Sequence, residues 1–237
     1  MVTKAALLAE KRKYGLEEVV SPEEEKQLLA NMPIQKIIGY VEMANVKIDL
    51  QYQVLIPRYE TEELIYLAID LIKKHHLKSV LDLGCGSGFI GIAIKKALTN
   101  QVELTLSDFD LQALKQSQIN LQINQVKAQI AQSDWLININ GKFDLIVCNP
   151  PYLKWSEKAD LSSSVLDYEP HHALFAAQDG LAVYEIIENQ LEDYLHQNGF
   201  VLFEINPLNS KWFIDHNYHL VKDINQKFRF AWKQIKD

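Results

Sequence analysis

The chain has 237 residues, 48% of them hydrophobic and 23% charged, with a formal net charge of -7. Such a balance describes a globular protein able to bury one ordinary core domain plus an appendage, and its acidity argues against broad electrostatic attachment to nucleic acid. The longest apolar stretch, "SVLDLGCGSGFIGIAI", is too short and too interrupted to span a bilayer, and two cysteines without a CxxC partner exclude a disulfide scaffold or cysteine zinc site and fit a reducing cytoplasm.

Residues 3 to 14 read as a short amphipathic helix without a signal-peptide cleavage pattern behind it. In "SPEEEKQLLANM", Ser21 is a cap, Pro22 opens the helix and Glu24 completes a capping box. "IQKIIGYVEMANVKIDL" holds two β-prone runs around Ala44-Asn45, which predicts a hairpin. Residues 1–52 therefore form a small helical and hairpin unit ahead of a larger domain, 53–237. In that domain "ETEELIYLAIDLIKK" reads as a helix, "SVLDLG" as a strand and "GIAIKKAL" as a helix. "VELTLSD" is a strand, "LQALKQSQINLQI" a helix, and "KAQIAQSD" and "FDLIVCN" are strands. "GLAVYEIIENQLEDYLHQ" reads as one long helix before the strand "GFVLFEI", and "YHLVKDINQKFRFAWKQI" as two strands joined by a turn. This alternation predicts an α/β fold with a mostly parallel, seven-stranded sheet, helices on both faces and an antiparallel strand near the C-terminus.

Two loops carry the chemistry. In "VLDLGCGSGFIG", Gly84, Gly86 and Gly88 let the backbone turn sharply and approach a ligand, with Cys85 and Ser87 between them. Gly86-x-Gly88-x-x-Gly91 satisfies the dinucleotide fingerprint, a pattern that a plain strand-to-helix turn also meets. The next strand ends at Asp108, where an acid accepts hydrogen bonds from a ribose diol; Asp110 is close enough to compete for that role. The strand after it ends in Ser133-Asp134-Trp135, an acid for an amino group and an aromatic edge for a base. Helix capping remains the alternative for the aspartates, and core packing for Trp135. The second loop, Asn149-Pro150-Pro151-Tyr152, ends the strand "FDLIVCN". Each proline restricts the residue before it to extended backbone, so the loop is stiff. The Asn149 side-chain carbonyl and the Pro150 backbone carbonyl then offer two acceptors, which suit the two protons of a planar NH₂ group. Tyr152 is expected to pack over that group. The histidines show no HExxH arrangement, and no metal site is expected.

"DLGCGSG", with Asp82 before its first glycine, then "LSDFD", "SDW" and "NPPY", in this order, resemble the S-adenosylmethionine (SAM)-dependent amino-methyltransferases. The flanks narrow the resemblance: "VLIPRYETEEL" and "VLDYEPHHALFAAQDGLAVYEII" are similar to segments of the HemK/PrmC family of peptide chain release factor glutamine methyltransferases. The resemblance implies a Rossmann-like class I methyltransferase fold and SAM as cofactor. It further implies a glutamine amide in the Gly-Gly-Gln motif of bacterial release factors as target, with nucleic acid involved only indirectly. By analogy Asn149 and Pro150 bind the amide, Pro151 and Tyr152 shape its slot, and Gly84 to Gly88, Asp82, Asp108, Asp134, Trp135 and Asn149 surround the cofactor. Arg58 and Glu169 are expected as loop anchors through ion pairs. About thirty residues precede the matching segment, against a larger helical bundle usual in that family, and Tyr59 stands where the family has a second proline. An adenine or guanine amino-methyltransferase shares the loop but should bring a basic surface. A nicotinamide-binding protein would leave "NPPY" unused.

Overall fold

The computed structural model describes residues 2–236. The N-terminal region holds α1 (Lys4–Lys13), α2 (Pro22–Leu29) and α3 (Ile34–Ile38), then β1 (Tyr40–Met43) and β2 (Val46–Asp49). The capping box is present at α2: Ser21 Oγ accepts from the Glu24 N–H at 3.2 Å, and Glu24 Oε2 accepts from the Ser21 N–H at 2.7 Å. "IQKII" is a helical turn rather than part of a strand. Pro33 presets its start and left-handed Gly39 (φ 91°) ends it, and these two outweigh the β-propensity of the isoleucines. The hairpin turns at Ala44 (φ 46°) and Asn45 (φ 59°), both left-handed as a tight two-residue turn requires.

The remainder runs α4 (Tyr59–His75), β3 (Ser79–Leu83), α5 (Phe89–Leu98), β4 (Glu103–Asp108), α6 (Leu111–Asn124), β5 (Gln129–Gln132) and β6 (Phe143–Cys148). Then come α7 (Ser163–Tyr168), the single turn α8 (Ala177–Gly180), α9 (Ala182–Glu188), α10 (Leu191–Tyr194), β7 (Leu195–Glu204), α11 (Ser210–Asp215), β8 (His219–Lys222) and β9 (Phe228–Gln234). The seven strands are ordered β5-β4-β3-β6-β7-β9-β8. All neighbours are parallel except β9, which is antiparallel to both β7 and β8. The expected long helix is broken: α9 and α10 are separate, and the chain is already extended at Leu195, which pairs with Phe143 of β6. Pairing with a central strand here overrides the helix propensity of "EDYLHQ".

Successive side chains of the central strands point to opposite faces. Val80, Leu145, Val147, Phe200 and Leu202 face one core with α4, α5 and the hairpin, while Leu81, Leu83, Ile146, Cys148, Val201 and Phe203 face another with α9, α10 and α11. Each fully buried leucine or phenylalanine contributes about 1.5–3 kcal/mol relative to exposure. The hairpin is also fastened by polar contacts that its sequence pattern does not announce. Gln116, Asn120 and Asn124 recur every four residues on α6, so they share one face. Asn124 exchanges hydrogen bonds with Lys47 N (3.0 Å) and O (2.7 Å), Asn120 with Asp49 N (2.8 Å) and O (3.2 Å), and Gln116 accepts from Tyr52 N (2.7 Å).

Strand order reverses at β3 and β6, which leave the sheet's carboxyl edge side by side with Leu83 opposite Cys148. This is the place where open α/β sheets collect ligands. Gly84 follows one of these strands and Asn149 the other.

Candidate active site

At this edge lies a cleft lined by Gly84, Cys85, Gly86, Ser87, Asp108, Trp135, Asn149, Pro150 and Pro151, with Phe109, Asp110 and Ser133. Gln53, Val54, Leu55, Pro57, Arg58, Thr61, Phe89, Ile90, Ala113, Pro170, His172 and Ala173 complete it.

The glycine loop is folded by its own backbone and by one carboxylate. Gly84, Gly86 and Gly88 all have positive φ (69°, 54° and 79°). A side chain at Gly86 would meet no protein atom within 4 Å and would project into open space beside the cleft. Asp108 Oδ2 accepts from the Gly86 N–H at 2.9 Å, and its Oδ1 from the Asp110 N–H at 3.0 Å. Burial pushes the Asp108 carboxyl above its ordinary value, against the pull of these two N–H groups. Asp110 is engaged elsewhere: its Oδ1 caps α6 through the Gln112 N–H at 2.8 Å, and its Oδ2 lies 3.4 Å from His172 Nε2. Of the two aspartates, Asp108 is therefore the buried one that also shapes the loop.

Four expected site residues do not line the cleft. Asp82 is fully buried beneath the loop, where Oδ2 accepts from the Gly91 N–H at 2.8 Å and Oδ1 has no partner among the described residues. Desolvation raises its carboxyl to about 7. Gly88 is turned into the protein, where an added Cβ would lie 2.9 Å from Ile92 Cδ1. Asp134 is exposed, whereas its neighbour Trp135 lies over Gly84, 3.4 Å from where a Cβ would sit. Tyr152 packs against the second core and donates its hydroxyl to Glu204 Oε1 at 3.1 Å.

The Asn149 loop is held from behind. Asn149 Nδ2 donates to Thr61 Oγ1 at 3.3 Å, and the Thr61 hydroxyl donates to Glu204 Oε2 at 2.8 Å. The amide's NH₂ end is thus engaged and its carbonyl oxygen is the end left to accept. Gly180 supports the loop at its other edge. At φ 85° its Cα comes so near that an added Cβ would lie 2.2 Å from the Tyr152 carbonyl oxygen. Arg58 and Glu169, expected as anchors, pair with each other at 2.7 Å, and Glu169 Oε2 also accepts from the Ile56 N–H at 3.0 Å. Thr61, Glu204 and Gly180 were not among the expected site residues. Thr61 and Glu204 stand within "YETEEL" and "LFEI", but nothing in their spacing shows that they meet across 143 positions.

The cleft fits a nucleoside-bearing ligand: a glycine cradle open at Gly86, a buried acid at the end of β4 and an indole beside them. In this order along an open sheet, with an Asn-Pro-Pro-Tyr loop on the adjoining strand, they define a class I SAM-dependent methyltransferase. Residues 65–168 match the methyltransferase small domain family. Among solved structures, a methyltransferase from Pyrococcus furiosus superposes with a TM-score of 0.55 at 16% identity, covering 91% of this chain and 99% of that one. A 16S rRNA methyltransferase of T. thermophilus gives 0.53 at 18%, covering 84% and 50%. At such identities they share the fold alone.

Sequence relatives are nearer. A release factor glutamine methyltransferase of Lactococcus lactis is 41% identical over 180 residues, spanning 76% of this chain and 66% of that protein. Those of Streptococcus pneumoniae and Francisella tularensis are each 37% identical, over 81% and 88% of this chain and 71% and 76% of their own lengths. The chain belongs to the release factor glutamine methyltransferase family. It spans just under two thirds of the L. lactis relative's length.

Proposed function

We propose that this enzyme methylates the side-chain amide nitrogen of the glutamine in the Gly-Gly-Gln motif of bacterial peptide chain release factors, with SAM as donor. The observation that carries the reading is the Asn149 amide, tied by its NH₂ end to Thr61, which leaves its carbonyl oxygen as the end able to accept in the cleft that Asn149 lines with the glycine loop. Gly84 to Ser87, Asp108, Trp135 and Asn149 would hold the cofactor, with Asp82 and Gly88 supporting the loop from below; the bound cofactor supplies an electrophilic methyl group.

The target is a poor nucleophile, because the lone pair of an amide nitrogen is delocalised into its carbonyl. Asn149 Oδ1 and the Pro150 carbonyl would accept its two N–H bonds and fix the nitrogen in the cleft they share with the glycine loop. They also favour the tetrahedral nitrogen of the transition state, which is catalysis by position and electrostatics. Transfer would break the donor's S–CH₃ bond and release it as the neutral thioether S-adenosylhomocysteine, while the nitrogen, held by these two acceptors, would lose one proton to solvent. Tyr152 is not the base: burial pushes its phenol well above the ordinary value, and its proton is committed to Glu204. Its role is to hold the loop.

The partner is the release factor's Gly-Gly-Gln loop, and residues 1–52 are its docking region. Cys85 and Cys148 are both free, which suits the cytoplasm where translation terminates. No helix among the described residues is long and apolar enough to cross a membrane.

The test is methyl transfer from labelled SAM to a purified release factor beside its Gln→Ala variant. Label is expected on the first alone. Equal labelling of both, or labelling of RNA only, overturns the reading.

A further inference from the structure

The Asn149 amide has two chemically opposite ends of nearly the same shape, and a site that accepts an NH₂ group works with only one of them facing inward. The loop sequence does not choose. A threonine hydroxyl has one proton to give. That of Thr61 goes to the Glu204 carboxylate at 2.8 Å, so Thr61 presents only lone pairs to Asn149 at 3.3 Å. Only the NH₂ end of the amide can satisfy them. Glu204 is 1% exposed, its other oxygen accepts from Tyr152 at 3.1 Å, and the same residue's backbone carbonyl accepts from the buried Tyr184 hydroxyl at 2.8 Å. Burial pushes the Glu204 carboxyl above its ordinary value, but the two hydroxyl donors and the charge of Arg229 favour its ionised form, and a carboxylate clamped on both oxygens by hydroxyl donors is a fixed acceptor. It sets the direction of every hydrogen bond that leads from it to the cleft.

We propose that Glu204 is a positioning residue which, through Thr61, orients the Asn149 amide with its carbonyl oxygen toward the substrate, and so selects a double N–H donor as the methyl acceptor. The proposal rests on the reading of the target as an amide NH₂. In Glu204→Gln the new side chain can donate to Thr61 Oγ1. The Thr61 proton then turns toward Asn149, and the amide reverses, presenting NH₂ to NH₂. Thr61→Val removes the relay at nearly constant volume, and Thr61→Ser keeps it.

Two measurements separate this inference from the substrate assignment. In the substrate-free protein, the Asn149 side-chain NH₂ resonance, identified by its loss in Asn149→Asp, should exchange slowly with solvent. It should exchange at least tenfold faster in Glu204→Gln and Thr61→Val. With the release factor as substrate, both variants should lose at least tenfold in kcat while S-adenosylhomocysteine binds within about twofold of wild type. The double variant should be no worse than the weaker single one, as for two members of one relay, and Thr61→Ser should recover most of the loss. An inactive wild type with the expected exchange behaviour sinks the substrate assignment and leaves the orientation standing. An active wild type whose Glu204→Gln and Thr61→Val variants keep both kcat and slow exchange overturns the orientation. If Glu204→Gln does not fold, Thr61→Val alone decides.

Discussion

Behind the glycine loop, Gln116, Asn120 and Asn124 of α6 grip the backbone of the hairpin; behind the Asn149 loop, Glu204 and Thr61 grip an amide and Glu204 a phenol. Both clusters are buried, polar and built from long-range contacts. In the first, every amide end has a protein partner: Asn120 serves Asp49 N and O and Ser87 O, Asn124 serves Lys47 N and O, and Gln116 lies between Tyr52 N and Asp49 Oδ1. In the second the donors run from the Asn149 amide through the Thr61 hydroxyl to the Glu204 carboxylate, which leaves the carbonyl end of an amide that lines the cleft as the end able to accept. A closed set of hydrogen bonds stabilises. An open-ended one leaves an acceptor aimed where a substrate can use it.

If that contrast is right, substitutions in the two clusters separate catalysis from stability. Asn149→Ala should lower methyl transfer by about a hundred- to a thousand-fold, as removal of a transition-state hydrogen-bonding group does. Its thermal midpoint should stay close to wild type; activity near wild type would end the two-acceptor account. Asn120→Ala should do the reverse. It strands Asp49 N, Asp49 O and Ser87 O, which should cost about 2–4 kcal/mol by urea unfolding, while turnover well below the new transition stays near wild type.

Asp82 belongs to neither cluster and sharpens the line between them through pH. Its buried carboxyl titrates near 7 because desolvation disfavours the charged form, so the fold binds its proton more tightly than the unfolded chain does. Its contribution to stability is fully present below the unfolded value, and is lost as pH rises toward and through about 7. Between these limits wild type should lose up to about 1.4 kcal/mol per pH unit from this group, and Asp82→Asn should flatten that part of the curve. Identical pH profiles for the two proteins would place Asp82 outside the linkage. The smallest effect is expected of Lys154→Ala. Its 3.6 Å contact with the exposed Asp179 lies outside both clusters and should shift stability by no more than about 0.5 kcal/mol.

The sheet, its helices and the two motif loops were legible because their signals are local. Alternating apolar runs mark the strands, glycines and prolines mark the loops, and the Ala44-Asn45 turn marks the hairpin. What was not legible depends on contacts distant in sequence. "EDYLHQ" reads as helix until β6 offers Leu195 a partner. Asp134 and Trp135 look alike as candidates, but the backbone turns one to solvent and the other over Gly84. Tyr152 reads as a lid on the target because nothing nearby announces Glu204 as the partner of its hydroxyl. The amides of α6 recur every four residues, and that period was the available sign that they face a single backbone.

The cleft's two flanks touch. Phe109 meets the His172 ring edge-on with centroids 4.9 Å apart, and Asp110 lies 3.4 Å from the same imidazole, so residues 109–110 and 170–173 join as a latch between residues that line the cleft. One ring edge and one half-exposed polar contact are together worth on the order of 1–2 kcal/mol. Parting them slows opening by a factor of about thirty at most, far less than any unfolding step. Under the proposed function a spent cofactor leaves after every methyl transfer, and the two flanks are joined by contacts weak enough to break at each cycle.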